Sequence, residues 1–84
     1  MEKLIPGAAY TVRVIEVDAH GYSQLFDGDH AFSDAIDYLG TMKLDSEAQE
    51  LWLTRLDGVE WVFVERLKRT PVGDWERCEA KGVR

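Results

Sequence analysis

The chain has 84 residues, one cysteine and a formal net charge of −6. Its length fits a single domain with a thin core, and its 45% hydrophobic content excludes a disordered chain. The acidic balance argues against direct binding to nucleic acid or to an anionic membrane, because both need a basic footprint. A lone Cys78 cannot form an internal disulfide, so we expect a reducing, cytoplasmic location.

The acidic residues are unevenly distributed. Residues 16–50 hold nine of the sixteen acidic side chains against Lys43 alone, whereas the C-terminal third is mixed in charge. This segment favours a basic protein partner. The alternative is that acidic surface simply keeps a small protein soluble.

The first predicted element is a strand over residues 8–18. Its β-branched residues alternate well, with Tyr10, Val12 and Val14 on one face. Thr11, Arg13, Ile15 and Val17 share the other face. A turn at His20-Gly21 is expected next, followed by a short second strand over residues 22–26.

A helix is predicted from Asp29 to Leu39. Its apolar stripe is Phe32, Ala35, Ile36 and Leu39, at the spacing of a helix packed on a core. Asp29 suits the N-cap position, and Gly40 suits the left-handed C-cap. The exposed face would carry His30, Ser33, Asp34 and Asp37, and residues 41–48 would form a connector.

A β-hairpin over residues 50–56 and 59–67 is predicted from Asp57-Gly58, which suits a two-residue type I′ turn. The strand pairs that follow are Leu56–Val59, Arg55–Glu60, Thr54–Trp61, Leu53–Val62, Trp52–Phe63, Leu51–Val64 and Glu50–Glu65. Like charges at the last pair would splay or end the strands. A helix over residues 46–56 is the alternative, since its apolar residues also fit helical spacing.

Both faces of this hairpin are apolar, while the chain offers one helix to cover them. After a loop at residues 70–74, a last strand is expected over residues 75–80. The predicted fold is α+β in two layers, with one helix on a mostly antiparallel sheet of four to five strands in the order β(β)αβββ. If the helix covers the aliphatic face, Trp52, Trp61 and Phe63 form an exposed patch; the reverse assignment remains open.

No catalytic, cofactor or metal motif is present in the sequence, and we do not expect an enzyme. His20 and His30 lie near carboxylates, but at no standard ligand spacing. Cys78 is expected to be a packed thiol. The basic residues near the C-terminus alternate with acids, which indicates a mixed-charge surface rather than a nucleic-acid site.

The sequence therefore predicts a non-catalytic acidic domain that binds a protein partner. Its most specific form is an inhibitor that imitates nucleic-acid phosphates, as in immunity or counter-defence proteins, and occupies a basic surface. The residues expected to steer the partner are Asp29, Asp34, Asp37 and Glu47, and those expected to anchor it are Tyr38, Trp52, Trp61 and Phe63. The alternative is a homodimeric α+β module that buries its second sheet face against itself, with or without a small apolar ligand.

Overall fold

A computed structural model describes residues 4–5 and 7–78. Its elements are β1 (Ala9–Asp18), β2 (Gly21–Ala31), α1 (Phe32–Asp45), β3 (Glu50–Asp57), β4 (Glu60–Arg69) and β5 (Trp75–Arg77). The five strands pair antiparallel in the order β2-β1-β3-β4-β5. This confirms the predicted two-layer α+β fold and shows that residues 50–56 form a strand rather than a helix. The last strand ends at Arg77, and residues 79–80 of its predicted range lie outside the described residues.

The core lies between α1 and the aliphatic face of the sheet. Its buried side chains are Val12, Val14, Ala35, Leu39, Leu51, Leu53 and Leu67. Even-numbered positions of β1 and odd-numbered positions of β3 point to the same side because the register pairs Val14 with Leu53. The helix therefore covers the aliphatic face, and the opposite face of the sheet carries Trp52 and Trp61, whereas Trp75 packs on the helix side.

The helix begins and ends later than the sequence suggested. Asp29 belongs to β2, the N-cap position is Ala31, and α1 continues through Gly40 to Asp45. Met42 packs against the core one turn beyond Leu39, so tertiary packing outweighs the modest cost of an exposed glycine within the helix. The predicted cap roles of Asp29 and Gly40 are wrong. Among the described residues, no helix has the length and apolar character needed to cross a membrane.

The hairpin turn lies one residue further along the chain than predicted. Asp57 pairs with Glu60, which leaves Gly58 and Val59 as the two loop residues. Gly58 has a φ of +67°, whereas Val59 has no positive φ. This combination fits a type II′ turn, which needs glycine at its first central position only. Asp57 remains extended, so the predicted type I′ turn is wrong.

A β-bulge in β4 changes the register further from the turn. Val64 is an extra residue on the strand, and Glu65 pairs with Leu53 beyond it. Glu50 therefore lies opposite Lys68 instead of Glu65. The predicted repulsion between two glutamates is replaced by an attraction, and β3 and β4 stay paired to their ends.

A second bulge places two residues of β2, Phe26 and Asp27, opposite Arg13 of β1. Phe26 has a φ of +48°, a strained conformation for a bulky residue. The bulge directs Phe26 towards the helix, where its ring stacks on His30 at 4.0 Å and on Tyr38 at 4.7 Å. β2 thus runs to residue 31 as one bulged strand, longer than the predicted 22–26.

Candidate protein-binding surfaces

The two layers give the molecule two contrasting surfaces. We call the sheet surface opposite α1 the open face, and the surface formed by α1 and its flanking loops the helix side. Trp52, Trp61 and Phe63 lie on the open face, where each remains half-buried. The rings are therefore packed among neighbouring side chains and are not fully exposed to solvent.

Trp52 and Phe63 pack edge to face on the open face. Their centroids are 5.2 Å apart and their planes meet at 82°. The guanidinium carbon of Arg66 lies 5.5 Å from the centre of each ring. Arg66 thus adds a cation–π contact to both rings and partly shields them from water.

Glu50 joins this cluster through hydrogen bonds. Its Oε1 accepts a bond from Trp52 Nε1 at 2.9 Å and one from Arg66 Nε at 3.1 Å. Burial raises the pKa of Glu50, but these bonds and the charges of Arg66 and Lys68 outweigh burial. The pKa of Glu50 is therefore lowered, and the carboxylate stays ionised at neutral pH.

Charges on the open face balance each other. Arg13 Nε bonds Asp27 Oδ1 at 3.0 Å, and Arg66 is paired with Glu50. Asp29, Lys68 and Glu76, which lies opposite Lys68 on β5, bring the described charges of this face to three cations and four carboxylates. The open face is thus an aromatic surface on which the described charges nearly cancel.

The helix side is acidic along one stripe. Asp34, Asp37 and Asp45 are three and eight residues apart, which places them on one side of α1 over about 16 Å. All three are exposed, and none forms an ion pair with another described residue. Lys43 is the single basic residue of α1, so three carboxylates stand against one cation and the helix is net negative.

A hollow of about 580 Å³ continues this stripe at the C-terminal end of α1. Its polar lining includes Glu16, Asp18, His20, Asp45 and Glu47, above an apolar base that includes Met42 and Ala48. The Ser46 hydroxyl donates a hydrogen bond to Glu16 and accepts one from the Ala48 N–H. Because Asp45 belongs to both, the stripe and the hollow form one acidic surface.

Arg69 of β4 fixes the loop that carries Glu47. Its guanidinium donates to the carbonyl oxygens of Ser46 at 2.6 Å, Ala48 at 2.9 Å and Gly73 at 3.0 Å. Its guanidinium carbon also lies 4.2 Å from the centre of the Trp75 ring. Arg69 therefore positions one wall of the hollow. Sequence reasoning missed this role, since the alternation of charges around residue 69 marks only a mixed surface.

The eight predicted partner-binding residues do not form one surface. Asp34, Asp37 and Glu47 lie on the helix side, whereas Asp29, Trp52, Trp61 and Phe63 lie on the open face. Tyr38 is half-buried against Phe26 beneath the helix. A single flat partner cannot reach both groups at once, so the two surfaces need separate interpretations.

The histidines and the cysteine lie apart from one another. His30 stacks on Phe26, and His20 sits in the turn after β1, where its N–H bonds Asp18. Cys78 is half-buried beyond β5, and its N–H bonds the Arg66 carbonyl. Within the described ranges, no group of three or more His, Cys, Asp and Glu residues is arranged to hold a metal ion.

No family model, curated protein or solved structure matches this chain.

Proposed function

We propose that this chain is a non-catalytic protein-binding domain whose acidic helix side docks on a basic surface of a partner protein. The observation that carries the proposal is the continuity of the acidic stripe with the acidic hollow at Asp45. Carboxylates arranged along a rigid element attract a basic partner and can imitate a row of phosphates. The partner class we favour is a nucleic-acid-handling protein, whose basic site this domain would block.

The charge distribution favours the helix side over the open face for this role. Cations on the open face lie beside carboxylates, as in the Arg13–Asp27 and Arg66–Glu50 pairs. The carboxylates of the stripe have no such neighbour among the described residues. Their field therefore extends into solvent, where it can steer a cationic partner.

The hollow gives the acidic surface a point of specificity. A hollow of about 580 Å³ with an apolar base and carboxylate walls suits the long stem and charged end of an arginine or lysine. Glu16 is held in place by Ser46, so part of this wall is ordered before a partner arrives. We expect one basic side chain of the partner to insert into the hollow. The stripe would then contact the partner surface around that side chain.

A matched pair of variants tests this assignment. Asp34→Asn/Asp37→Asn/Asp45→Asn neutralises the stripe, and Glu60→Gln/Asp74→Asn/Glu76→Gln removes the same charge from exposed positions elsewhere. Proteins captured on the immobilised wild-type domain at low salt are identified, and one purified basic partner is titrated with each variant. We expect the stripe variant to lose about tenfold or more in affinity and the control variant to lose little. Equal binding by both variants would remove the helix side from the interface.

The inhibitor form of the proposal has its own test. A duplex of DNA or RNA that binds the purified partner should release it from the immobilised domain, because both compete for one basic site. A ternary complex of domain, partner and duplex would show that the domain binds elsewhere on the partner.

A further inference from the structure

His20 lines the acidic hollow at the C-terminal end of α1. It lies in the turn between β1 and β2, and its backbone N–H donates a hydrogen bond to Asp18 Oδ1 at 2.8 Å. Gly21 follows with a φ of +134°, a conformation that glycine adopts readily. The turn therefore holds His20 at the hollow, on the surface that we assign to the basic side chain of a partner.

Each element that forms the hollow contributes carboxylates to the lining beside His20. Strand β1 contributes Glu16 and Asp18. The helix contributes Asp45, and the loop after it contributes Glu47. Within the described part of the chain, no lysine or arginine lines the hollow. The lining thus holds four carboxylates and one imidazole.

The cations of the neighbouring elements lie outside the hollow. Lys43 of α1 lines a separate groove together with Arg77. Arg69 reaches the loop after α1, but it bonds the backbone carbonyls on either side of Glu47 and does not line the hollow. Histidine changes its charge between pH 5 and 8, a range in which exposed carboxylates ordinarily stay ionised. Among the lining residues, His20 is therefore the one that can add a positive charge near neutral pH.

We propose that His20 makes partner binding at the acidic hollow depend on pH. This inference rests on the proposed function, because it concerns the same hollow and the same basic side chain of the partner. A protonated His20 offsets one of the four carboxylates and repels an incoming arginine or lysine. A neutral His20 leaves the carboxylates unopposed. Protonated His20 thus competes with the partner's cation for one acidic site.

Proton linkage sets the sign of the effect. A cation bound in the hollow disfavours protonation of His20, so binding releases a proton wherever the free domain carries one on His20. Affinity for a basic partner therefore rises as the pH rises from about 5.5 to about 7.5, and it levels off above that range. Acidification weakens the complex.

The size of the effect follows from the repulsion between two charges in an open hollow. We take a separation of roughly 7 Å between the imidazolium and the bound cation, and an effective dielectric constant of about 40 to 80 for a solvated site. The dissociation constant then changes about three- to eightfold between the two charge states of His20. Low ionic strength preserves this difference, whereas added salt screens it.

An acetylated hexa-arginine amide is the probe, because its charge stays constant over this pH range. Isothermal titration calorimetry at low ionic strength gives its dissociation constant at pH 5.5, 6.5 and 7.5. The wild type should bind about three- to eightfold more weakly at pH 5.5 than at pH 7.5. His20→Gln should bind with nearly the same affinity at all three pH values.

His30→Gln is the matched control. It makes the same change near the other end of β2, roughly 30 Å from His20 along the strand, where His30 stacks on Phe26. This variant should keep the pH dependence of the wild type, and circular dichroism should show native spectra for both variants. Proton NMR adds a direct readout, since the peptide should move the titration of the His20 imidazole to lower pH and leave that of His30 unchanged.

The possible failures separate this inference from the proposed function. Binding of the peptide that is independent of pH in the wild type, or equally pH-dependent in His20→Gln, would overturn the inference and leave the proposed function standing. Glu16→Gln/Glu47→Gln tests the hollow itself at pH 7.5 and should bind more weakly than the wild type. Equal affinity for this variant, or no binding by the wild type at any pH, would overturn both.

Discussion

Arg13 of β1 reaches over β3 to Trp61 of β4, with its guanidinium carbon 4.1 Å from the centre of the ring. The contact runs diagonally across β3, where Thr54 pairs with Arg13 and Leu56 pairs with Trp61. The Thr54 hydroxyl also donates to the Arg13 carbonyl at 2.9 Å. Through its contact with Trp61 and its bond to Asp27, Arg13 of β1 is connected to both β4 and β2 on the open face.

Arg13→Ala should lower the free energy of unfolding by about 1–2 kcal/mol. The variant loses an exposed cation–π contact and a surface ion pair, each worth about 0.2–1 kcal/mol, together with the packing of the arginine stem. Urea unfolding monitored by tryptophan fluorescence measures the change. Lys43→Ala is the control and should cost about 0.5 kcal/mol or less. Equal costs for the two variants would mean that the Arg13–Trp61 contact adds nothing.

The position of the hairpin turn predicts opposite outcomes at two adjacent residues. Gly58→Ala should cost about 1–2 kcal/mol because alanine strains at a φ of +67°. Asp57→Val should change stability little, since residue 57 is an extended strand position with only a 3.9 Å contact to Arg55. Urea unfolding of both variants checks this. A large loss for Asp57→Val would favour a turn centred on residues 57 and 58.

The sequence predicted the elements better than their boundaries and pairing. The apolar residues Phe32, Ala35 and Leu39 revealed α1, and alternation revealed the strands around them. Asp29 and Gly40 carried good local cap signals, but sheet pairing and core packing outweighed both. The bulge at Val64 carries no local signature, so the register beyond it could be found only in three dimensions.

The candidate surfaces were also predicted in part. Composition located the acidic segment, and alternation grouped Trp52, Trp61 and Phe63 on one face. Their separation from the helix carboxylates depends on which side of the sheet α1 packs, which the two apolar faces of the hairpin left undecided. The role of Arg69 depends on carbonyl groups more than twenty residues earlier in the chain, beyond any local pattern.

The core prediction concerns Leu53, which is fully buried between the sheet and α1. Leu53→Ala should cost about 2–5 kcal/mol, a large share of the roughly 4–12 kcal/mol expected for a domain of this length. Val59→Ala is the control because Val59 is 95% exposed in the turn, and it should change stability by less than about 0.5 kcal/mol. Thermal unfolding followed by circular dichroism compares the two.

The cluster around Glu50 predicts an acid-sensitive contribution to stability. The pKa of Glu50 is lowered in the folded state from its ordinary value of 4.5. The folded state therefore gains from the ionised form at neutral pH, and this gain disappears as the pH falls through the lowered pKa. Glu50→Gln should be less stable than the wild type at pH 7 by up to about 1 kcal/mol, and the difference should vanish well below pH 4.5.

Urea unfolding across this pH range measures the Glu50 effect. Glu60→Gln makes the same charge change at an exposed turn position and should show no comparable pH-dependent difference. A constant gap between Glu50→Gln and the wild type from neutral to acid pH would contradict an ionised, stabilising Glu50.

The last prediction links Arg69 to the acidic hollow. Arg69→Lys keeps the charge but replaces a planar group with five donors by a compact ammonium, which cannot reach three separate carbonyls. We expect a loss of about 2 kcal/mol in unfolding free energy, because the part-buried carbonyl oxygens of Ser46 and Ala48 lose charged donors. Lys68→Arg, one residue earlier on the exposed side of β4, is the matched control and should be neutral.

Because Arg69 bonds the carbonyls on both sides of Glu47, its replacement should also release one wall of the hollow. Hydrogen exchange should increase at the amides of residues 46–49, while the amides of the β1–β3 pair keep their protection. If Arg69→Lys lowered stability without a local increase in exchange at this loop, Arg69 would act through its contact with Trp75 instead. The two results separate a positioning role at the hollow from general packing.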